Sequence, residues 1–268
     1  MADSVVRPYL KLVGAQIRSQ AQYRTSFILD LLGQTVFTVL DFLTVFVVFR
    51  ITPALGGFDL SEVLLISALA ITGFTIADLV VGNVERLSFY VRTGLLDAML
   101  IRPRRILPQL LAVDFQLRRI GRVALAVTVL IVAASAGVTD WTWWRVLLVV
   151  ITPLTAAVFF CAVFILTATS MFWWIDAKEF SAAFTYGGRD FTTYPITVYE
   201  GVFRRLFGYL FGFGFVSYYP ALSLLGRDDP LGGPGWLGWS GLIAAAVAAT
   251  AAALMWRTGI RHYKGTGS

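Results

Sequence analysis

The chain has 268 residues, 57% of them hydrophobic and 14% charged, with a formal net charge of +6 and a mean hydropathy of +0.74. A soluble domain carries about 25% charged residues, so this composition excludes an ordinary soluble domain and points to a chain solvated mainly by lipid. The basic residues lie between apolar runs and not in one patch, which is membrane-flanking charge and argues against a nucleic-acid partner. The lone Cys161 lies inside an apolar run, which excludes an internal disulfide and a cysteine metal site.

In chain order, residues 5–22 read as an amphipathic helix. Val6, Leu10, Val13, Ile17 and Ala21 cluster on one side, with Arg7, Lys11 and Arg18 on a neighbouring face. Such a helix lies in the headgroup plane as an anchor, or contacts a partner protein. No cleavable signal peptide is expected, because the first 26 residues lack an uninterrupted apolar core. Span 1 covers 27–49 and carries Asp30, Gln34 and Asp41 at i, i+4, i+11 spacing, with Thr38 and Thr44 at the edges of that face. Ionisable groups in hydrocarbon cost about 2.5–3.5 kcal/mol on insertion scales, so this stripe is expected to face protein or water and not lipid, through interhelical hydrogen bonds, at a subunit interface or along a path.

A turn over 53–59 leads to span 2 over 60–82, with Asp78 near its far end. Residues 83–105, NVERLSFYVRTGLLDAMLIRPRR, carry five arginines against Glu85 and Asp97. Read as one helix, this stretch places Arg86, Thr93 and Asp97 within about 40° of each other, and most of its remaining surface is apolar. It is either an interfacial linker or a cytoplasmic helix covered by another protein. Pro103 ends the helix, since the residue before proline is pushed out of the α region, and Pro108 suits the first turn of the next. Residues 109–122 are mixed, with Asp114 and Arg118 at i, i+4 spacing, and lead obliquely into span 3 over 123–136.

Trp141, Trp143 and Trp144 precede span 4, 146–172, which contains Pro153 and is followed by Trp173 and Trp174. The last span, 239–256, is Ala-rich, and all eight tryptophans fall at span ends, as an aromatic belt requires. Residues 177–229 allow two readings. Hydropathy makes 206–225 the fifth span. The other reading makes the polar stretch 177–193 the fifth span and 195–225 a re-entrant hairpin, which needs cover from protein or water. Both give six crossings. In the first, Arg50, Arg145 and Arg227 stand alone against the other 19 basic residues; in the second the division is 6 against 16. Both termini and 83–105 are expected on the basic, cytoplasmic side.

The chain has no G-x-x-x-x-G-K-[ST], no H-E-x-x-H and no G-x-S-x-G, so no nucleotide loop, zinc helix or nucleophile elbow is expected. His262, the only histidine, reads as a solvated tail residue. A proton-coupled secondary transporter using Asp30, Asp41 or Asp78 is the competing reading, although the halves show no internal repeat.

The segment RTGLLDAMLIRP, residues 92–103, resembles the connection between spans 2 and 3 in permease subunits of type 2 ABC exporters, the ABC-2 family. The matching residues are Gly94, Leu95, Leu96, Leu100 and Pro103. Downstream, YPITVYEGVFRRL and FVSYYPALSLLG resemble the family's fifth-span end and outer-leaflet re-entrant region, 194–226. YYPALSLLG is similar to a bacterial subgroup whose permeases often occur as two different subunits. The family commonly has a carboxylate shortly before the glycine, where this chain has Arg92 and Thr93, and the fifth span here would be unusually polar.

The resemblance covers essentially the whole chain and implies one all-α permease domain over 1–268. It implies six transmembrane helices, an interfacial helix over 1–24 and a coupling segment over 83–105. It further implies a bacterial cytoplasmic membrane location and a second permease, either a different chain or a second copy. Two ATP-binding cassette subunits would carry the ATP and Mg, with no cofactor on this chain. Arg86, Arg92, Thr93, Gly94, Asp97, Arg102 and Pro103 are the expected docking residues. An exporter of an amphiphilic substrate is the expected function.

Overall fold

The computed structural model describes residues 14–15, 18, 24–113, 116–137, 139–174 and 177–263. The interfacial helix expected over 1–24 falls almost wholly outside the described residues, as does Asp114. The described residues are helical and carry no strand, only one antiparallel bridge between Leu55 and Phe58. The α-helices of six residues or more are α1 (Arg24–Ile51), α2 (Leu60–Val81), α3 (Leu87–Arg92), α4 (Leu95–Leu100), α5 (Ile106–Val113), α6 (Ile120–Ser135), α7 (Trp143–Thr169), α8 (Lys178–Thr193), α9 (Tyr218–Leu225) and α10 (Ser240–His262).

Four stretches are long and apolar enough to cross a membrane: Phe27–Ile51, Leu60–Arg92, Trp143–Phe172 and Gly235–His262. They match the expected first, second, fourth and last spans. With 16 residues each, α6 and α8 are only about 24 Å long at 1.5 Å per residue, short of a hydrocarbon core of about 30 Å.

The centre of the bundle is α2, with 15 of its 22 residues buried, packed against α6, α7 and α8. Its start is fixed by a capping box. The Glu62 amide donates to the Asp59 carboxylate at 2.9 Å, and the Asp59 amide returns a bond of 2.9 Å to Glu62. Burial works against the Asp59 carboxylate, yet bonds from Ser61 and Glu62 and the charge of Arg227 hold it below its usual range.

Apolar surface alone gives no drive between helices in lipid, so close packing and polar bonds must hold them. Where α2 meets α7, a Cβ on Gly73 would overlap that of Ala156 and lie 3.1 Å from the Pro153 carbonyl. Phe74 then reaches Phe160, Phe164 and Tyr186 with ring centroids 5.2, 5.5 and 5.6 Å away. The seam of α1 repeats at alternating steps of four and three: Leu31, Thr35, Thr38, Phe42, Val45, Phe49. Its other face leaves Leu29, Phe37 and Val47 open.

The polar stretch 177–193 forms the continuous helix α8, whereas 206–225 is interrupted. A π-helix over Arg204–Leu210 stops at Gly212, where φ is 84°, and a 3-10 turn precedes α9. Several polar groups of α8 are used inside the bundle. Thr185 bonds Thr167 at 3.1 Å, and the Thr193 and Thr192 carbonyls accept from Ser67 and Ser217 at 2.7 and 2.8 Å. Arg189 pairs with Asp41 of α1 and lies 5.3 Å over the Phe74 ring.

Removing one member of a buried ion pair strands the other, at a cost of roughly 3–5 kcal/mol, while replacing both by apolar groups is often neutral. Arg189→Leu is therefore expected to lower the thermal unfolding midpoint in detergent, and Asp41→Leu with Arg189→Leu to restore most of the loss. A double variant no better than the single would show that the pair does not join α1 to α8.

Candidate functional site

The sequence suggests one helix over 86–101, and the structure corrects this to an elbow. After α2 the chain tightens into a 3-10 turn, Gly82–Arg86, then forms α3. The Thr93 hydroxyl bonds the Phe89 carbonyl at 2.8 Å and closes α3. Gly94 then takes φ 70°, a left-handed conformation that costs a side-chain-bearing residue about 1 kcal/mol or more, and α4 starts in a new direction. The single-helix wheel grouping of Arg86, Thr93 and Asp97 therefore does not hold.

The elbow has two sides. Leu87, Tyr90, Val91, Leu96 and Met99 are buried against the bundle. Phe89, Leu95 and Ile101 are exposed beside the exposed Arg86, Arg92, Thr93, Arg102 and Pro103. Arg86 lies 5.4 Å over the Phe89 ring. Asp97 is half-buried and accepts a bond of 3.0 Å from the Tyr263 hydroxyl beyond α10. Burial and that bond push the Tyr263 phenol up to about 12. The turn after α4 is held by buried Gln109 of α5, whose Nε2 reaches the Arg104 carbonyl at 3.1 Å.

Beneath the elbow lies a buried charge cluster. Asp78 is 2% exposed, and its two oxygens pair with Arg119 at 3.1 Å and Arg122 at 2.8 Å. Arg119 also donates to the Asp78 carbonyl at 2.5 Å, and Arg122 reaches Thr38 of α1 at 3.4 Å. Glu85 accepts from Tyr186 of α8 at 3.4 Å. A carboxylate this deep in an apolar helix needs fixed cations, and two arginines at the start of α6 supply them.

The stripe on α1 is divided between separate partners. Asp30, half-exposed, pairs with Arg118 at 2.9 Å, and Asp41 pairs with Arg189. Gln34 is half-buried on the protein-facing seam. Sequence reasoning missed Arg118, Arg119, Arg122 and Arg189 as partners, and also Tyr263. A usable signal was present: every carboxylate in an apolar helix requires a cation, and Arg118, Arg119 and Arg122 cluster at the start of one.

His262 stacks on Trp173 with centroids 5.5 Å apart. Among the described residues no three His, Cys, Asp or Glu side chains converge on one point. The burial ranking gives a stability ranking. Asp78→Asn is expected to lose roughly 3–5 kcal/mol by leaving two inward arginines uncompensated, and Asp30→Asn, half in solvent, about 1 kcal/mol or less. Unfolding midpoints in detergent check the order, and equal losses would contradict it.

The family model described as ABC-2 family transporter protein matches residues 35–267. Comparison with curated proteins and with solved structures gave no match. A match over nearly the whole chain, on a bundle of long apolar helices, places this protein plainly: it belongs to the ABC-2 transporter family of membrane proteins.

Proposed function

We propose that the chain is the transmembrane subunit of an ATP-driven exporter in a bacterial cytoplasmic membrane, powered by two separate ATP-binding cassette subunits. The observation that carries this reading is the elbow. Phe89, Leu95 and Ile101 stand exposed among Arg86, Arg92 and Arg102, on a support of buried Leu87, Val91 and Leu96. An apolar surface ringed by charge at the end of a membrane helix suits a protein partner better than water. ATP and Mg would be held by that partner, this chain supplying no nucleotide loop.

In this reading α1, α2, α7 and α10 cross outright, α6 and α8 complete the six crossings together with the turns that flank them, both termini are cytoplasmic, and 194–226 re-enters the outer leaflet. The exposed apolar face of α1 meets lipid or a second permease, a different chain or another copy. An amphiphilic substrate is supported by an aromatic cleft of about 720 Å³ whose lining includes Phe159, Phe184, Phe213 and Trp236. ATP binding would close the ATPase pair and shift the permease between inward- and outward-facing states, by no more than the partner's differential affinity for the two. Proton coupling through Asp30, Asp41 or Asp78 is disfavoured, because each is ion-paired with arginine.

The single cysteine allows a direct test. With Cys161→Ser as background, Thr93→Cys and Arg102→Cys are expected to crosslink to cysteines scanned over a co-expressed ATP-binding subunit, with an efficiency that changes on adding ATP. Arg92→Glu is expected to reduce transport-coupled ATP hydrolysis several-fold while the chain still folds. No crosslink at either position, together with unchanged coupling in Arg92→Glu, would contradict docking at the elbow.

A further inference from the structure

A second cleft, of about 750 Å³, opens between α5, α7 and α10. Its walls are apolar, with Val158, Cys161 and Ile165 from α7 facing Ala249, Ala253 and Ile260 from α10. From Ala249 to Arg257 the trough runs about 12 Å along the helix axis. Three arginines line it as well: Arg104 and Arg105 from the turn after α4, and Arg257 from the last turns of α10.

These cations differ from five arginines elsewhere in the bundle. Arg118, Arg119, Arg122, Arg189 and Arg227 each pair with a carboxylate. Among the described residues, Arg104, Arg105 and Arg257 pair with none, and all three are exposed. Trp256, next to Arg257 and also in the lining, marks the depth at which headgroups lie. An apolar trough with three unbalanced positive charges is complementary to an amphiphile with an anionic head.

We propose that this cleft is a binding site for an anionic phospholipid. The headgroup phosphate engages Arg104, Arg105 and Arg257, and an acyl chain lies between α7 and α10. The site is separate from the exposed face of the elbow and stands without the ATPase-docking reading. It bears on that reading in one respect: Arg104 and Arg105 lie in the turn between α4 and α5, so a bound lipid ties that turn to α10.

Native mass spectrometry of the full-length chain, released from detergent micelles with phosphatidylglycerol or phosphatidylcholine added, tests the proposal. The wild type is expected to retain phosphatidylglycerol at least about tenfold better. R104Q/R105Q/R257Q is expected to lose the preference, and the control R50Q/R204Q/R205Q to keep it. Ala253→Trp, which fills the trough but leaves the arginines, is expected to lose the lipid as well. Maleimide labelling of Cys161 should slow several-fold with phosphatidylglycerol and not with phosphatidylcholine. Retention by the triple arginine variant, equal retention of phosphatidylcholine by the wild type, or displacement by inorganic phosphate alone would each overturn the proposal.

Discussion

The buried carboxylate of Asp78, held between Arg119 and Arg122, is the constraint on which the rest of the arrangement depends. Alone in an apolar helix it would be untenable, and with two arginines it becomes a clasp. Asp78 and Arg119 are 41 residues apart. Everything between them, the elbow and α5 included, is therefore an excursion closed at its base. A force on α3 or α4 meets the end of α2 and the start of α6 together, not a loose loop between them.

Further polar ties extend from that clasp. Arg122 reaches α1 through Thr38, Glu85 reaches α8 through Tyr186, and Asp97 reaches the chain beyond α10 through Tyr263. Arg189 joins α8 to α1 and covers the Phe74 ring of α2. Each is a directional bond between helices that lipid would otherwise separate at little penalty. Together these contacts tie segments far apart in the chain into one connected set.

Much of this architecture was legible in the sequence. The first, second, fourth and last long helices follow hydropathy, and the expected span 60–82 differs from Leu60–Val81 by a single residue. The capacity of 177–193 to form one helix was legible as an alternative, but its polarity obscured it. Its Thr185 hydroxyl, its last two carbonyls and Arg189 find partners on α7, on α2 and at Ser217, and on α1, and no hydropathy window contains those partners. The elbow was read as one helix because its apolar residues sustain the period through Gly94, although that glycine was already prominent in the motif. The stripe on α1 was legible as facing protein or water and not lipid, without its partners. Which arginine meets which carboxylate is decided by contacts 88 and 148 residues apart, beyond any local pattern.

Hydrogen exchange on the chain alone and on its complex with ATP-binding subunits tests the central claim most directly. That claim is that the elbow is the docking surface and the Asp78 clasp its fixed base. Amides of Leu87–Arg92 and Leu95–Leu100 are predicted to gain protection on assembly, while peptides containing Asp78 and Arg119–Arg122 stay protected in both states. Unchanged exchange across the elbow, or new protection confined to α5 and α6, would contradict the account.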